Sequence, residues 1–239
     1  MSVALACGRK EWQGAGMLAN HVLFLDGEAL VIDKPAGLPV DRPRDGSISL
    51  ENHLAGLTFG FRRWPHAVHR LDRDTSGCLL LSRNPKAHAR LQQAFEQGQV
   101  IKRYLAVLDG VVPESLGVEG VIDLALSKTS TAEHGWRMRG DPAGKPARTG
   151  WRVIEVKDGR SFVEFTPQTG RTHQIRLHAA EGLGAPVVGD PVYGTAGKYS
   201  LLHAAGLTVP RAGKEPIVAV APLPERFADA GFTLPDDAD

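Results

Sequence analysis

Cysteine is nearly missing from this chain of 239 residues: it has only Cys7 and Cys78. Standing 71 positions apart, they offer neither a disulfide framework nor metal-knuckle spacing, so both are expected to be reduced thiols. Zinc held by cysteines is excluded. Long apolar runs are missing too. The longest near the start, Val22 to Leu25 and Ala29 to Ile32, are each four residues, against the roughly twenty that span a bilayer. No membrane association is expected. Residues 1–20 carry Arg9, Lys10 and Glu11 but no apolar stretch of the seven or so residues that a secretory signal needs. The reading is a cytoplasmic protein.

With 42% hydrophobic and 23% charged residues, the chain has the arithmetic of a globular protein able to bury a sizeable core. Its net charge of +1 hides an asymmetry. Residues 215–239 hold six acids against one base, which leaves 27 bases and 21 acids, or +6, on residues 1–214. That is compatible with a polyanionic partner. Segment 137–152 concentrates five bases against one acid.

Two apolar runs flank Asp26-Gly27, a dipeptide suited to the positive φ angles of a tight hairpin. Pro35-Ala36-Gly37 ends the second run. Asn84-Pro85 followed by Ala87, Leu91, Ala94 and Phe95, with Gly98 behind, combines an N-cap, a proline at the first helical position, an apolar stripe and a closing glycine. A helix is predicted there. Val100 to Leu108 alternates and predicts a strand with one polar-tipped face. Runs at Trp151–Ile154 and Phe162–Phe165 predict strands joined through Asp158-Gly159, and residues 172–181, closed by Gly182, predict another helix. Residues 112–150 are rich in Gly and Pro and predict a long loop at the waist between two halves. The fold class expected is α+β: a mixed, largely antiparallel sheet flanked by helices, with two packed halves and a central cleft. Residues 1–20 form an N-terminal extension, 21–231 one catalytic unit, and 232–239 an acidic tail that should fray.

Two clusters carry most of the chemistry. His69-Arg70-Leu71-Asp72-Arg73-Asp74-Thr75-Ser76-Gly77 runs into the apolar Cys78-Leu79-Leu80-Leu81, so ionisable residues sit on a loop anchored by a buried element. Arginines on both sides of Asp72 would favour its ionised form, which suits a nucleophile or base. The second cluster, Gln168 to His178, opens a helix with Arg171, Arg176, His173 and His178. An anionic partner is expected there. Gly189-Asp190-Pro191-Val192-Tyr193-Gly194 reads as a turn, and Leu201-Leu202-His203-Ala204 as a core strand. A metal-dependent phosphoesterase built from His66, His69, Asp72, His173 and His178 is one alternative. A non-catalytic RNA-binding protein is the other.

The string H-R-L-D-R-D-T-S-G at 69–77 resembles the signature of the RluA-type pseudouridine synthases. Its companions follow in the family's order: D-K-P-A-G-L at 33–38, K-R-Y at 102–104, T-G-R-T-H-Q-I-R-L-H at 169–178, G-D-P-V-Y-G at 189–194 and L-L-H-A at 201–204. The resemblance spans about residues 20–230. It implies an enzyme that isomerises uridine to pseudouridine in structured RNA, a ribosomal or transfer RNA stem-loop, with no metal and no cofactor. It implies Asp72 as the catalytic aspartate, Arg176 as its partner and Tyr104 against the uracil ring, where it could assist removal of the C5 proton. Arg70 would fill the space left by a flipped base. Arg73, Thr75, Arg171 and His173 are implied as further substrate contacts. Attack on C1′, attack on the pyrimidine, and removal of a sugar proton all remain open to the aspartate. Many relatives carry an S4-type RNA-binding module ahead of the catalytic unit, and about twenty residues are too few for one. Recognition is then expected from the catalytic unit itself, working as a monomer with no obligate protein partner.

Overall fold

A computed structural model describes residues 18–131 and 135–234. Cys7 lies outside them. Twelve strands carry the architecture: β1 Val22–Leu25, β2 Ala29–Lys34, β3 His66–Ala67, β4 Ser76–Ser82, β5 Ile101–Leu108, β6 Glu119–Asp123, β7 Leu126–Thr131, β8 Gly135–Gly140, β9 Arg148–Lys157, β10 Arg160–Pro167, β11 Leu202–Arg211 and β12 Lys214–Val220. The α-helices that lie wholly within the described residues are α1 Pro85–Glu96, α2 Gln174–Leu177 and α3 Glu225–Asp229. The main sheet runs β1-β2-β4-β11-β5-β10-β9-β6, with β12 added to β11 and β3 to β4. Only β4 and β11 pair in parallel; the other pairings in this sheet are antiparallel. The mixed, largely antiparallel α+β sheet follows the sequence reading.

That parallel seam joins the two halves. Gly77, at φ +107, faces the Ala204 backbone, and any Cβ there would overlap the Ala204 carbonyl. Glycine is the residue that allows β4 and β11 to close. A buried strut reinforces the seam: Ser76 Oγ lies 2.8 Å from His203 Nδ1. On one side Leu80, Leu91, Val31 and Ile217 form a core under α1. On the other Val163, Phe165, Ile175 and Leu202 form a second.

Helix α1 begins as its sequence dictates, with Asn84 Oδ1 accepting the Ala87 amide at 2.9 Å behind Pro85. Two expectations about strands need correction. Gly27 is not among the positive-φ residues of the β1–β2 turn; Asp26 Oδ1 instead accepts the Glu28 and Ala29 amides at 2.8 Å each. The side chain makes the turn. By contrast, Asp158 and Gly159 do take positive φ, +52 and +73. In β5 the alternation stops at Tyr104, because Leu105 to Leu108 are buried on both faces of a central strand.

Residues 112–150 do not form one long loop. They contain β6, which pairs with β9, and the separate hairpin β7–β8. Gly and Pro here mark turns between short strands rather than a waist. Nor does fraying begin at 232: Phe232 is buried with its ring 5.8 Å from that of Phe162. Residues 235–239 lie outside the described part. Among the described residues no helix is long and apolar enough to cross a membrane.

Candidate active site

The loop before β4 and the segment leading into α2 meet at a cleft of about 500 Å³, lined by Arg70, Asp72, Thr75, Tyr104, Arg171, His173 and Arg176. Burial of all seven β4 residues fixes one wall. Gln174 fixes the other. Its Oε1 accepts from the Thr169 hydroxyl at 2.7 Å and the Arg171 amide at 2.9 Å, while its Nε2 donates to Arg148 O and Thr149 Oγ1. This folding-back tightens the T-G-R-T turn, and the chain enters the helix through His173 at φ +55. The helix predicted from 172 therefore starts at Gln174, and from His178 to Gly182 it widens to π geometry. Such widening is frequent at functional sites.

Arg176 is the hub. Its Nη1 lies 3.0 Å from Asp72 Oδ2, and its Nε and Nη2 each lie 2.7 Å from the two oxygens of Asp190. Burial works against the guanidinium charge, but the hydrogen bond to Asp190 and the charges of both carboxylates outweigh it and hold Arg176 protonated. Burial likewise opposes the charge on Asp190, yet Arg176 and the Val192 and Tyr193 amides keep its carboxyl below the ordinary range. A buried bidentate pair thus orients a third group, Asp72, at the cleft.

The arginines next to Asp72 in sequence do not serve it. Arg70 Nη1 pairs with the exposed Asp41 at 2.6 Å, and Arg73 Nε donates to Gly37 O at 3.2 Å. Both reach across to the segment after β2, and the cation that reaches Asp72 comes from 104 positions away. Thr75 is buried, and its amide donates to Asp72 O at 3.2 Å, closing the loop. Arg171 Nε donates to Pro146 O.

Tyr104 projects from β5, packed against the core of Val163 and Phe165 and against a further core that includes Leu71, Leu79 and Ala204. Burial, helped by the charge of Asp72, pushes its phenol above the usual tyrosine range. That favours the neutral phenol, with its ring available as a packing surface. Lys34, from D-K-P-A-G-L, is fully buried, and its Nζ donates to Pro35 O, Leu38 O and Arg73 O at 2.8, 2.8 and 3.1 Å. Burial pulls its pKa down to about 7, while three acceptors take all three protons of an ammonium and favour the charged form. It ties the Asp72 loop to β2.

Of the residues of the metal-site alternative, His173 and Asp72 come within 3.9 Å of each other, but His69 and His178 are engaged elsewhere. His69 Nε2 accepts the Leu80 amide at 3.0 Å, and His178 is buried between Thr149 Oγ1 and Leu124 O. Among the described residues no group of three or more His, Cys, Asp or Glu gathers as a metal site requires. Asp190, Tyr193 and Trp136 line or support the cleft, although the sequence alone marks none of them as a site residue. The turn reading of Asp190 is half its role: Oδ1 does accept the Val192 and Tyr193 amides. A carboxylate buried completely beside a cluster rich in arginine is the feature that marks its second role.

A mixed sheet with a carboxylate–guanidinium–carboxylate chain at its central cleft defines the class, and residues 28–181 match the model of the RNA pseudouridylate synthase family. The chain belongs to that family and isomerises uridine to pseudouridine in RNA. It is 58% identical over 220 residues to an uncharacterized RNA pseudouridine synthase of Zymomonas mobilis, covering 90% of this chain and 99% of that one. It is 36% identical to ribosomal large subunit pseudouridine synthase D of Nitrosomonas europaea, over 81% of this chain and 60% of the relative. Among solved structures, human RNA pseudouridylate synthase domain containing 4 superposes with a TM-score of 0.74 at 26% identity, over 90% of this chain and 92% of that one.

Proposed function

We propose that Asp72 is the carboxylate that acts on the target nucleotide, that Arg176 pairs with it and aims it, and that Tyr104 packs against the uracil. The observation that carries this reading is the 3.0 Å contact from Arg176 to Asp72 in a cleft that Tyr104 also lines. The reaction breaks C1′–N1, turns the uracil and joins C5 to C1′; the C5 proton leaves and N1 gains one, so no redox partner or group donor is needed. A stacked uridine must be extruded to reach this cleft. Arg70 is exposed and tethered to an exposed aspartate, a contact weak enough to release. It swings into the vacated stack. Arg73, Arg171 and His173 border the same space, and Thr75 shapes its floor.

The substrate we infer is a stem-loop of ribosomal or transfer RNA, bound by the catalytic unit as a monomer in the cytoplasm. The basic residues on β8 and the turn after it supply phosphate contacts. Release of tritium from C5-labelled uridine in transcripts of each RNA tests the reading, followed by mapping of the modified position. An RNA modified at the same rate by the Asp72→Asn variant overturns it.

A further inference from the structure

We propose that His173 is a positioning residue for Asp72, set by Tyr193 and pressed into place by the hairpin β7–β8 when RNA seats on it. The inference deepens the assignment of Asp72 as the working carboxylate and rests on it.

Proton bookkeeping carries the argument. The Met138 amide of β8 donates to Tyr193 Oη at 3.0 Å, and a backbone N–H can only donate. The tyrosine hydrogen is then free for His173 Nδ1, also 3.0 Å away. With Nδ1 accepting, a neutral imidazole carries its proton on Nε2. That nitrogen faces Asp72 Oδ2 at 3.9 Å. Burial pulls the His173 pKa below the ordinary histidine range, and Arg176 and Arg70 act in the same direction against Asp72 and Asp190, which favours the neutral ring.

The backbone points the same way. His173 is one of three non-glycine residues at positive φ among the described residues, and it sits at the cleft. A side chain held in that region by its surroundings is a mark of function. Arg176 and His173 both approach Oδ2 of Asp72, so Oδ1 is the oxygen left for chemistry.

At 3.9 Å the imidazole faces the carboxylate without yet bonding it. The missing movement has a source. Trp136 of β8 is exposed, lines an adjoining pocket of about 400 Å³ that shares Asp72, His173 and Arg176 with the cleft, and rests edge-on against the His173 ring with centroids 5.3 Å apart. Arg137 lies over the Tyr193 ring at 5.6 Å. RNA pressed on this strand pushes Trp136 and Tyr193 together against the imidazole, and the Nε2–H closes on Asp72. Catalytic hydrogen bonds that are long in free enzymes commonly tighten in this way.

His173→Asn is the decisive variant. Asparagine tolerates positive φ better than most residues, so folding and Tm should hold, while its amide reaches Tyr193 but not Asp72. We expect kcat to fall roughly 30-fold or more with KM for RNA within about threefold. His173→Gln, whose amide spans the Nε2 position, should recover part of kcat. Tyr193→Phe should lower kcat less, and the double variant His173→Asn/Tyr193→Phe should be no slower than His173→Asn alone. An unchanged kcat in His173→Asn, a loss confined to KM, or additive losses in the double variant overturns the proposal. In the free protein, nitrogen-15 shifts of His173 should report protonated Nε2, and protonated Nδ1 overturns the proposal without any turnover assay. If the parent enzyme instead gives no tritium release on any RNA, the assignment beneath it fails while the tautomer remains readable.

Discussion

Asp72 and Asp190 lie 118 positions apart and share one guanidinium, that of Arg176, which gives a single 3.0 Å contact to the first and two 2.7 Å contacts to the second. The two-point contact to buried Asp190 fixes the plane of the cation, and the remaining nitrogen then aims Asp72. Asp190 is fully buried, whereas the Asp72 side chain keeps 26% of its exposure. One end of the chain is structural and the other is open to substrate.

Asp72→Asn keeps the volume and loses the charge. Tritium release should fall at least about 1000-fold, with RNA affinity within about threefold and Tm nearly unchanged. Filter binding and single-turnover assays read the two effects separately.

Asp190→Ala leaves a buried cation half-paired, which costs on the order of 3 to 5 kcal/mol. Urea unfolding should show that loss, and turnover should fall even where the variant is fully folded, because Arg176 no longer holds its plane. Asp190→Asn, which retains one acceptor, should lose less on both measures.

Arg70→Ala separates flipping from bond cleavage. Turnover should drop most on a stable stem-loop and least on an RNA whose target uridine is already unstacked. Equal losses on the two substrates would remove Arg70 from that role.

Arg139, Lys145 and Arg148 are exposed on β8, the turn after it and the start of β9. Replacing all three with Gln should flatten the slope of log affinity against log salt, by about 0.7 for each single-strand phosphate that these side chains no longer neutralise. The rate at saturating RNA should be largely preserved. Titrations at several salt concentrations check both.

Acid should unfold the protein through two histidines, buried His203 and half-buried His69. Burial pulls His69 and His203 each down to about 4, below the value of about 6.5 in an unfolded chain. The folded state thus binds fewer protons in that window, and its stability, full above about pH 6.5, is lost as pH falls toward 4. Each contributes on the order of 3 kcal/mol. His203→Gln should reduce the difference between urea midpoints at about pH 7 and about pH 4.5.

What the sequence by itself determined was local or cumulative. The N-cap and proline of α1, the Asp158-Gly159 turn and the β10 run act within a few residues, where chirality and side-chain period decide conformation. Six motifs in order identified the family because order is a one-dimensional property. Apart from Arg176, which the resemblance pairs with Asp72, partners across the cleft belong to the tertiary structure. Arg70 and Arg73 adjoin Asp72 in the chain and turn away from it, while Arg176 reaches it only because the parallel β4–β11 seam brings the two halves together. The 112–150 segment misled for the same reason: short strands such as β6 and β7 have weak intrinsic preference, and pairing with β9 and β8 makes them strands. Asp190 became an anchor as well as a turn residue when the fold placed both its oxygens beside a buried guanidinium, a pairing for which spacing along the chain carries no signal.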